Sequence, residues 1–426
     1  MVRLEFRPNF LEITMDLQGF MGVLQPLLGV GVIVFAAYLL SNNRKAINWR
    51  PVFSGLALTV VICLLVLKVP VTKEVFAAMG AGINKLLDFA VDGAAFVVGE
   101  ELAHGKWIFL VRIGSSIIFI SALSGLLYYL GVLQWVVKKM AYVLMRTMGV
   151  SAPEALSSAS AIFVGQVECQ VLIRPYMSKL SSSELFTSMA AAMATISGSA
   201  LVAYTSLGMP APWLIAASIM SAPAGILVAK IMWPETDKRV LSGEVELADH
   251  GDASNIFDAI AKGAMTGFEI AVNVAVMVLV AIAFVKMINF GFASIFSFTG
   301  TSLEIQDVFG YVFMPLAWLL GVPWHECFHV GRLIATEILV NEFVSYGELA
   351  QVLQGKAAYV LAIKTQLIAT VALCGFANLG SIGINIGGLG AMAPERRGEI
   401  ARMAFKAMIA ANMGTWITAA IAGLLS

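Results

Sequence analysis

The chain has 426 residues, 59% apolar and only 13% charged, about half the ~25% of a soluble globular chain, so a water-soluble enzyme is excluded. Lys+Arg and Asp+Glu balance at 27 each, which excludes nucleic-acid binding through a basic surface. Cys63, Cys169, Cys327 and Cys374 lie in apolar sequence with no CxxC pair, which excludes a disulfide framework and a cysteine zinc site.

Spans are counted from charge-free runs, because a helix needs about 20 apolar residues to cross the hydrocarbon core. Residues 1–19 carry Arg3, Glu5, Arg7, Glu12 and Asp16, and the run 20–40 lacks a small-residue cleavage pattern. It reads as a retained first span, not a signal peptide. Residues 51–67 form the second. The stretch 69–107 mixes apolar residues with Lys73, Glu74, Lys85, Asp88, Asp92, Glu100 and Glu101, and reads as helix lying along the membrane surface. Residues 113–137 make the third span. Pro210 and Pro212 divide the long run 185–229 into the fourth and fifth. The sixth, 270–285, ends at Lys286, which can snorkel to the interface. Residues 365–394 and 407–426 complete eight.

Two segments do not fit simple spans. Residues 151–183 hold Glu154, Glu168, Arg174 and Lys179, and residues 309–340 hold Glu326, Arg332 and Glu337. Both are too polar to cross and too apolar for water, which predicts re-entrant hairpins whose backbone is satisfied by protein or a wet cavity. The fold class is an all-α polytopic membrane protein with eight transmembrane helices, interfacial helices and two re-entrant hairpins. The Lys and Arg clusters at Arg44–Arg50, Lys138–Arg146, Lys230–Arg239 and Arg396–Arg402 fall on one side of such a chain, which places both termini on the extracytoplasmic side.

The hairpins look alike, as the halves of an inverted repeat would. Gly165-Gln166-Val167-Glu168 and Gly321-Val322-Pro323-Trp324-His325-Glu326 each set a carboxylate just after a helix-breaking element. Each is followed by a span with small or polar residues, Thr195-Ile196-Ser197-Gly198-Ser199 and Phe376-Ala377-Asn378-Leu379-Gly380-Ser381, as in discontinuous helices around a midplane site. A carboxylate in a span costs at least about 2.5–3.5 kcal/mol, so Glu168 and Glu326 either bind a polar solute, bind a cation or carry a proton. The alternative is that both are interfacial residues on surface loops. Gln166 offers a donor and an acceptor for a planar amide-bearing ligand. Asn378 and Ser381 lie on one helix face and either meet hydroxyls or glue helices together.

A motif from another class competes. His325-Glu326-Cys327-Phe328-His329 matches HExxH, the zinc-binding and water-activating arrangement of metalloproteases. The remaining histidines, His104 and His250, sit in polar connections, so no third ligand stands out. A passive channel is a further alternative, although paired hairpins with broken helices favour alternating access.

Over nearly its full length the chain resembles the concentrative nucleoside transporters. The words that carry this are Ser41-Asn42-Asn43-Arg44-Lys45-Ala46-Ile47-Asn48, Ala122-Leu123-Ser124-Gly125-Leu126-Leu127-Tyr128-Tyr129-Leu130-Gly131-Val132 and Gly165-Gln166-Val167-Glu168, followed by Gly321-Val322-Pro323-Trp324-His325-Glu326, Asn341-Glu342-Phe343-Val344 and Cys374-Gly375-Phe376-Ala377-Asn378-Leu379. The resemblance implies a homotrimer in a bacterial inner membrane, without cofactor, importing nucleosides with H+ or Na+. It also implies a transport unit that moves against a scaffold. Residues 1–150 and 233–306 would be largely scaffold, and 151–232 and 307–426 the two halves of the transport unit. By position, Gln166, Val167 and Glu168 would face the nucleobase, Glu326, Asn378 and Ser381 the ribose, and Phe376 the same pocket.

Three departures bear on substrate and coupling. Val167 stands where the family has Thr, and His325 where it has Asn. The position of a sodium-binding Asn is Ala161, which leaves Thr195 and the carbonyls of Val164 and Ile196 as a weakened site. Proton coupling through Glu168 or Glu326, with His325 nearby, is the favoured alternative. A different small polar solute on the same fold remains open.

Overall fold

The computed structural model describes residues 10–103, 108–237, 253–296 and 304–426, and these contain no strand. Helices α1 (Phe10–Leu39), α2 (Trp49–Lys68) and α3 (Pro70–Val98) open the chain. Pro70 begins α3 at the one position where a missing N–H costs nothing. The expected third span is divided in two, α4 (Gly114–Tyr129) and α5 (Val132–Met148), because Gly131 takes a left-handed φ of 77° between them.

A hairpin followed by a broken helix then occurs twice. In the first copy α6 (Ala152–Ala161) leads through a turn at 162–167 into the short helical turn Glu168–Val171. The broken helix is α7 (Ser182–Met193) and α8 (Gly198–Leu207). Next come α9 (Ala211–Met232), the 41-residue α10 (Ile256–Phe296) and α11 (Ile305–Leu319). The second hairpin is α12 (Cys327–Leu339) and α13 (Glu342–Leu353), and its broken helix is α14 (Ile363–Ala372) and α15 (Leu379–Met392). Helix α16 (Arg397–Leu425) closes the chain.

This corrects the expected second hairpin at 309–340. Helices α11 and α12 do pack lengthwise, but their turn lies against Pro26 of α1 and Ile368 of α14. The Gln25 amide holds that turn, donating to the carbonyl of Val322 at 2.9 Å. The hairpin tip equivalent to 162–167 is Val340–Asn341. There the Asn341 side chain accepts from Val344 N at 3.0 Å and starts a new helix.

The two breaks cross at the centre of the molecule. Phe376 N donates to the carbonyl of Met193 at 2.7 Å, and Gly198 N to that of Phe163 at 3.0 Å. Side chains from flanking helices satisfy other freed carbonyls: Asn412 donates to Ala377 O at 2.7 Å and Ser218 to Ile196 O at 3.1 Å. Irregular backbone at this depth persists only when its polar groups are met in this way. Gly375 permits the crossing, since a Cβ there would sit 2.9 Å from Met193 O.

Helix α10 lies along α4 through glycines. A Cβ on Gly125 would meet Ala259 O at 2.7 Å, and one on Gly263 would meet Ser121 O at 2.6 Å. Small residues four apart, Gly263 and Gly267, bring the two backbones together as in membrane helix pairs. Among the described residues, seven helical stretches are long and apolar enough to cross a membrane. The remaining expected span, the seventh at 365–394, is built from the shorter α14 and α15.

Candidate functional site

Three helices, α8, α13 and α15, begin at one point, each with a side-chain cap. Ser197 accepts from Ala200 N at 3.2 Å, Asn341 from Val344 N at 3.0 Å and Asn378 from Ser381 N at 3.0 Å. Their N-termini carry partial positive charge, and Glu168 and Glu342 stand among them. Between them, with one wall from α4 and α10, is a cavity of about 550 Å³, within the range of small-molecule sites. A second cavity of about 350 Å³ adjoins it at Gly165, Glu168 and Ser199.

The structure brings Gln166, Val167, Glu168, Phe376, Asn378 and Ser381 together on the cavity wall. The Gln166 amide donates to Ser381 Oγ at 3.1 Å, and its carbonyl accepts from Asn385 Nδ2 at 3.2 Å. One N–H and one lone pair of Gln166 therefore stay uncommitted. Glu168 folds back over Gly165, where a Cβ would collide with its carboxylate. Val167 rests its methyl groups on α15, 2.5 Å from where a Cβ on Gly388 would be.

Glu326 does not join them. Its Oε1 accepts from Ala362 N at 3.0 Å and so caps the start of α14, away from the cavity. His325 stays with it, 3.7 Å from that carboxylate and 80% exposed. The place expected for Glu326 is taken by Glu342. Its Oε1 accepts from Tyr204 OH at 2.8 Å and its Oε2 from Asn378 Nδ2 at 2.7 Å. Sequence reasoning missed Glu342, Tyr204 and Asn385. The available signal was the Asn341-Glu342 pair at the head of an apolar run, a helix start of the kind capping residues mark.

The positions expected for sodium ligands do not supply a side-chain oxygen beyond that of Thr195. Ala161 packs with Val164, Cys169 and Ala192 in an apolar cluster. The Thr195 hydroxyl turns back to Ala192 O at 3.3 Å, and the Ile196 carbonyl already accepts from Ser218. The HExxH residues do not form one helical face either. His325 sits in a 3₁₀ turn, α12 starts only at Cys327, and the His329 ring stacks on Tyr359 at 3.8 Å.

Three family models match in sequence order. They describe the N-terminus of a Na+ dependent nucleoside transporter over residues 28–101, nucleoside recognition over 110–211, and the C-terminus of a Na+ dependent nucleoside transporter over 213–423. An uncharacterized transporter of Haemophilus influenzae is 41% identical over 95% of this chain and 98% of its own length. The nucleoside permease NupC of Helicobacter pylori is 35% identical over 93% and 96%. The chain spans 58% of the mouse solute carrier family 28 member 3. CNTnw, solved in an inward-facing substrate-bound state, superimposes with a TM-score of 0.88 at 38% identity, covering 95% of this chain and 98% of that one. A CNTnw variant solved in an outward-facing state gives 0.90 at 39% identity, over 95% and 99%.

Proposed function

The chain belongs to the concentrative nucleoside transporter family, and from that premise we propose that it imports nucleosides across a bacterial inner membrane by alternating access, driven by protons. It is a multi-pass membrane carrier and not an enzyme, so the HExxH word has no zinc chemistry to perform. Residues 151–232 and 307–426 form the moving unit, carried on a trimeric scaffold of the remaining helices.

The observation that carries the substrate reading is the paired polar network on the cavity wall. Gln166 offers its free amide edge to the base, and Glu168 accepts from a base N–H. Glu342 has one accepting position per oxygen to spare after Tyr204 and Asn378. It takes a ribose hydroxyl, with Asn378 and Ser381 beside it and Phe376 against the sugar or base. Each hydrogen bond to a charged group contributes about 1.5–3 kcal/mol.

Proton coupling is favoured by the apolar surroundings of Ala161, which leave Thr195 as the one side-chain oxygen among the positions expected for the cation. A hard cation needs several oxygen ligands, and Ala161 withholds one of the two side-chain oxygens that the family resemblance implies. The test is accumulation of radiolabelled uridine and adenosine in proteoliposomes under separately imposed gradients. A gradient of about one pH unit drives about tenfold accumulation with one proton per nucleoside, and a sodium gradient drives none. Accumulation on sodium alone overturns the proton reading and keeps the nucleoside one. No accumulation of either nucleoside under either gradient overturns both.

A further inference from the structure

Glu337, near the end of α12, is fully buried, and neither of its carboxylate oxygens has a hydrogen-bond partner among the described residues. The titratable groups around it are Glu342 and Tyr346 of α13, Tyr204 of α8 and Cys374 at the α14–α15 break. All are acids, and the donors among them point elsewhere: Tyr204 to Glu342, and Tyr346 to the carbonyl of Thr370 at 2.8 Å. The one cation nearby on α12, Arg332, is held by Glu304 at 2.8 Å and Asp307 at 3.4 Å, both at the start of α11.

An ionised carboxylate with no donor, beside a second carboxylate, is too costly to persist in such a setting. Glu342 has two donors and Glu337 has none, so the pair divides its roles: Glu342 carries the charge and Glu337 the proton. Glu342 and Tyr204 also line the substrate cavity, so Glu337 lies just behind the wall that meets the ribose.

We propose that Glu337 is the proton-binding site of transport, taking up a proton when the cavity faces outward and releasing it when the cavity faces inward. The assignment rests on the proton-driven reading above and names its carrier. Coupling follows from the shared site. A nucleoside hydroxyl donating to Glu342 favours the ionised form of Glu342, which tightens the hold of Glu337 on its proton. By reciprocity, a protonated Glu337 tightens nucleoside binding. The loaded unit then moves with one nucleoside and one proton, and no net charge is left unpaired behind the wall.

Glu337→Gln keeps the shape and removes the proton. In proteoliposomes it is expected to support uridine counterflow, which needs no net proton movement, while accumulation under one pH unit falls from about tenfold to equilibrium. Uridine-driven acidification of the lumen disappears with it. Accumulation by Glu337→Gln at the level of the parent protein overturns the assignment and leaves proton coupling standing. Sodium-only accumulation by the parent protein overturns both. If Glu337→Gln shows no counterflow, Glu337→Asp decides. It keeps a carboxyl one methylene away, so a shifted pH midpoint of uptake supports the assignment and an unchanged midpoint overturns it.

Discussion

Glu342 accepts from Tyr204 and Asn378 at once, and a glutamine there would turn an amide donor toward one of them. Glu342→Gln is therefore expected to weaken uridine binding by about 10- to 150-fold, the loss of about 1.5–3 kcal/mol from a charged hydrogen bond. Isothermal titration calorimetry checks this. Glu326→Gln is the contrasting case. It removes part of a cap on α14 and lowers stability by about 1 kcal/mol, with uridine affinity unchanged in the same titration. Much of the site was legible in the sequence, because Gln166, Glu168, Asn378 and Ser381 are polar residues next to glycines in apolar surroundings. Glu342 was not, because Gly321, Pro323 and Glu326 carry the stronger breaker signal, whereas the true tip, Val340-Asn341, contains neither Gly nor Pro. Tyr204 and Asn385 lie inside helices away from any hairpin tip, and their partners are set only by tertiary crossing.

At the scale of elements, the first hairpin is anchored at its base by a buried ion pair. Lys230 near the end of α9 pairs with Glu154 at the start of α6, and donates to Ser183 Oγ at 3.0 Å on α7. Glu154 also accepts from Ser151 N at 2.9 Å, completing the cap of α6. Removing one member leaves the other charge buried and unpaired, at a cost of about 3–5 kcal/mol. Lys230→Met is expected to lower the thermal unfolding midpoint markedly, and Lys230→Met combined with Glu154→Gln to recover most of the loss. Recovery failing to appear would mean that the lysine acts through Ser183 alone. The sequence placed the elements well where apolar runs were long, as in α2 and α9. It erred where a single glycine, Gly131, ends a helix inside a continuous apolar run, since no change of composition marks that boundary.

For the whole molecule, α4 and α10 form the wall past which the two repeats are set. Their contact is backbone against backbone: a Cβ on Gly267 would lie 2.7 Å from Ser121 Cβ and 2.8 Å from Ile118 Cα. Gly267→Leu is expected to pry the two helices apart at a cost of about 1–3 kcal/mol, read as a lower unfolding midpoint in detergent. An unchanged midpoint would mean that the pair contributes nothing to stability. The family fold was legible from eight apolar runs and the order of their words. The division of labour between wall and repeats was not, because it depends on which faces meet.

The main-chain bond from Phe376 to Met193 has a consequence for how cargo is released. On the proposed division into moving unit and scaffold, this stitch ties the two half-sites together, so labels placed on the two repeats are expected to keep their spacing through the cycle while their distance to α4 and α10 changes.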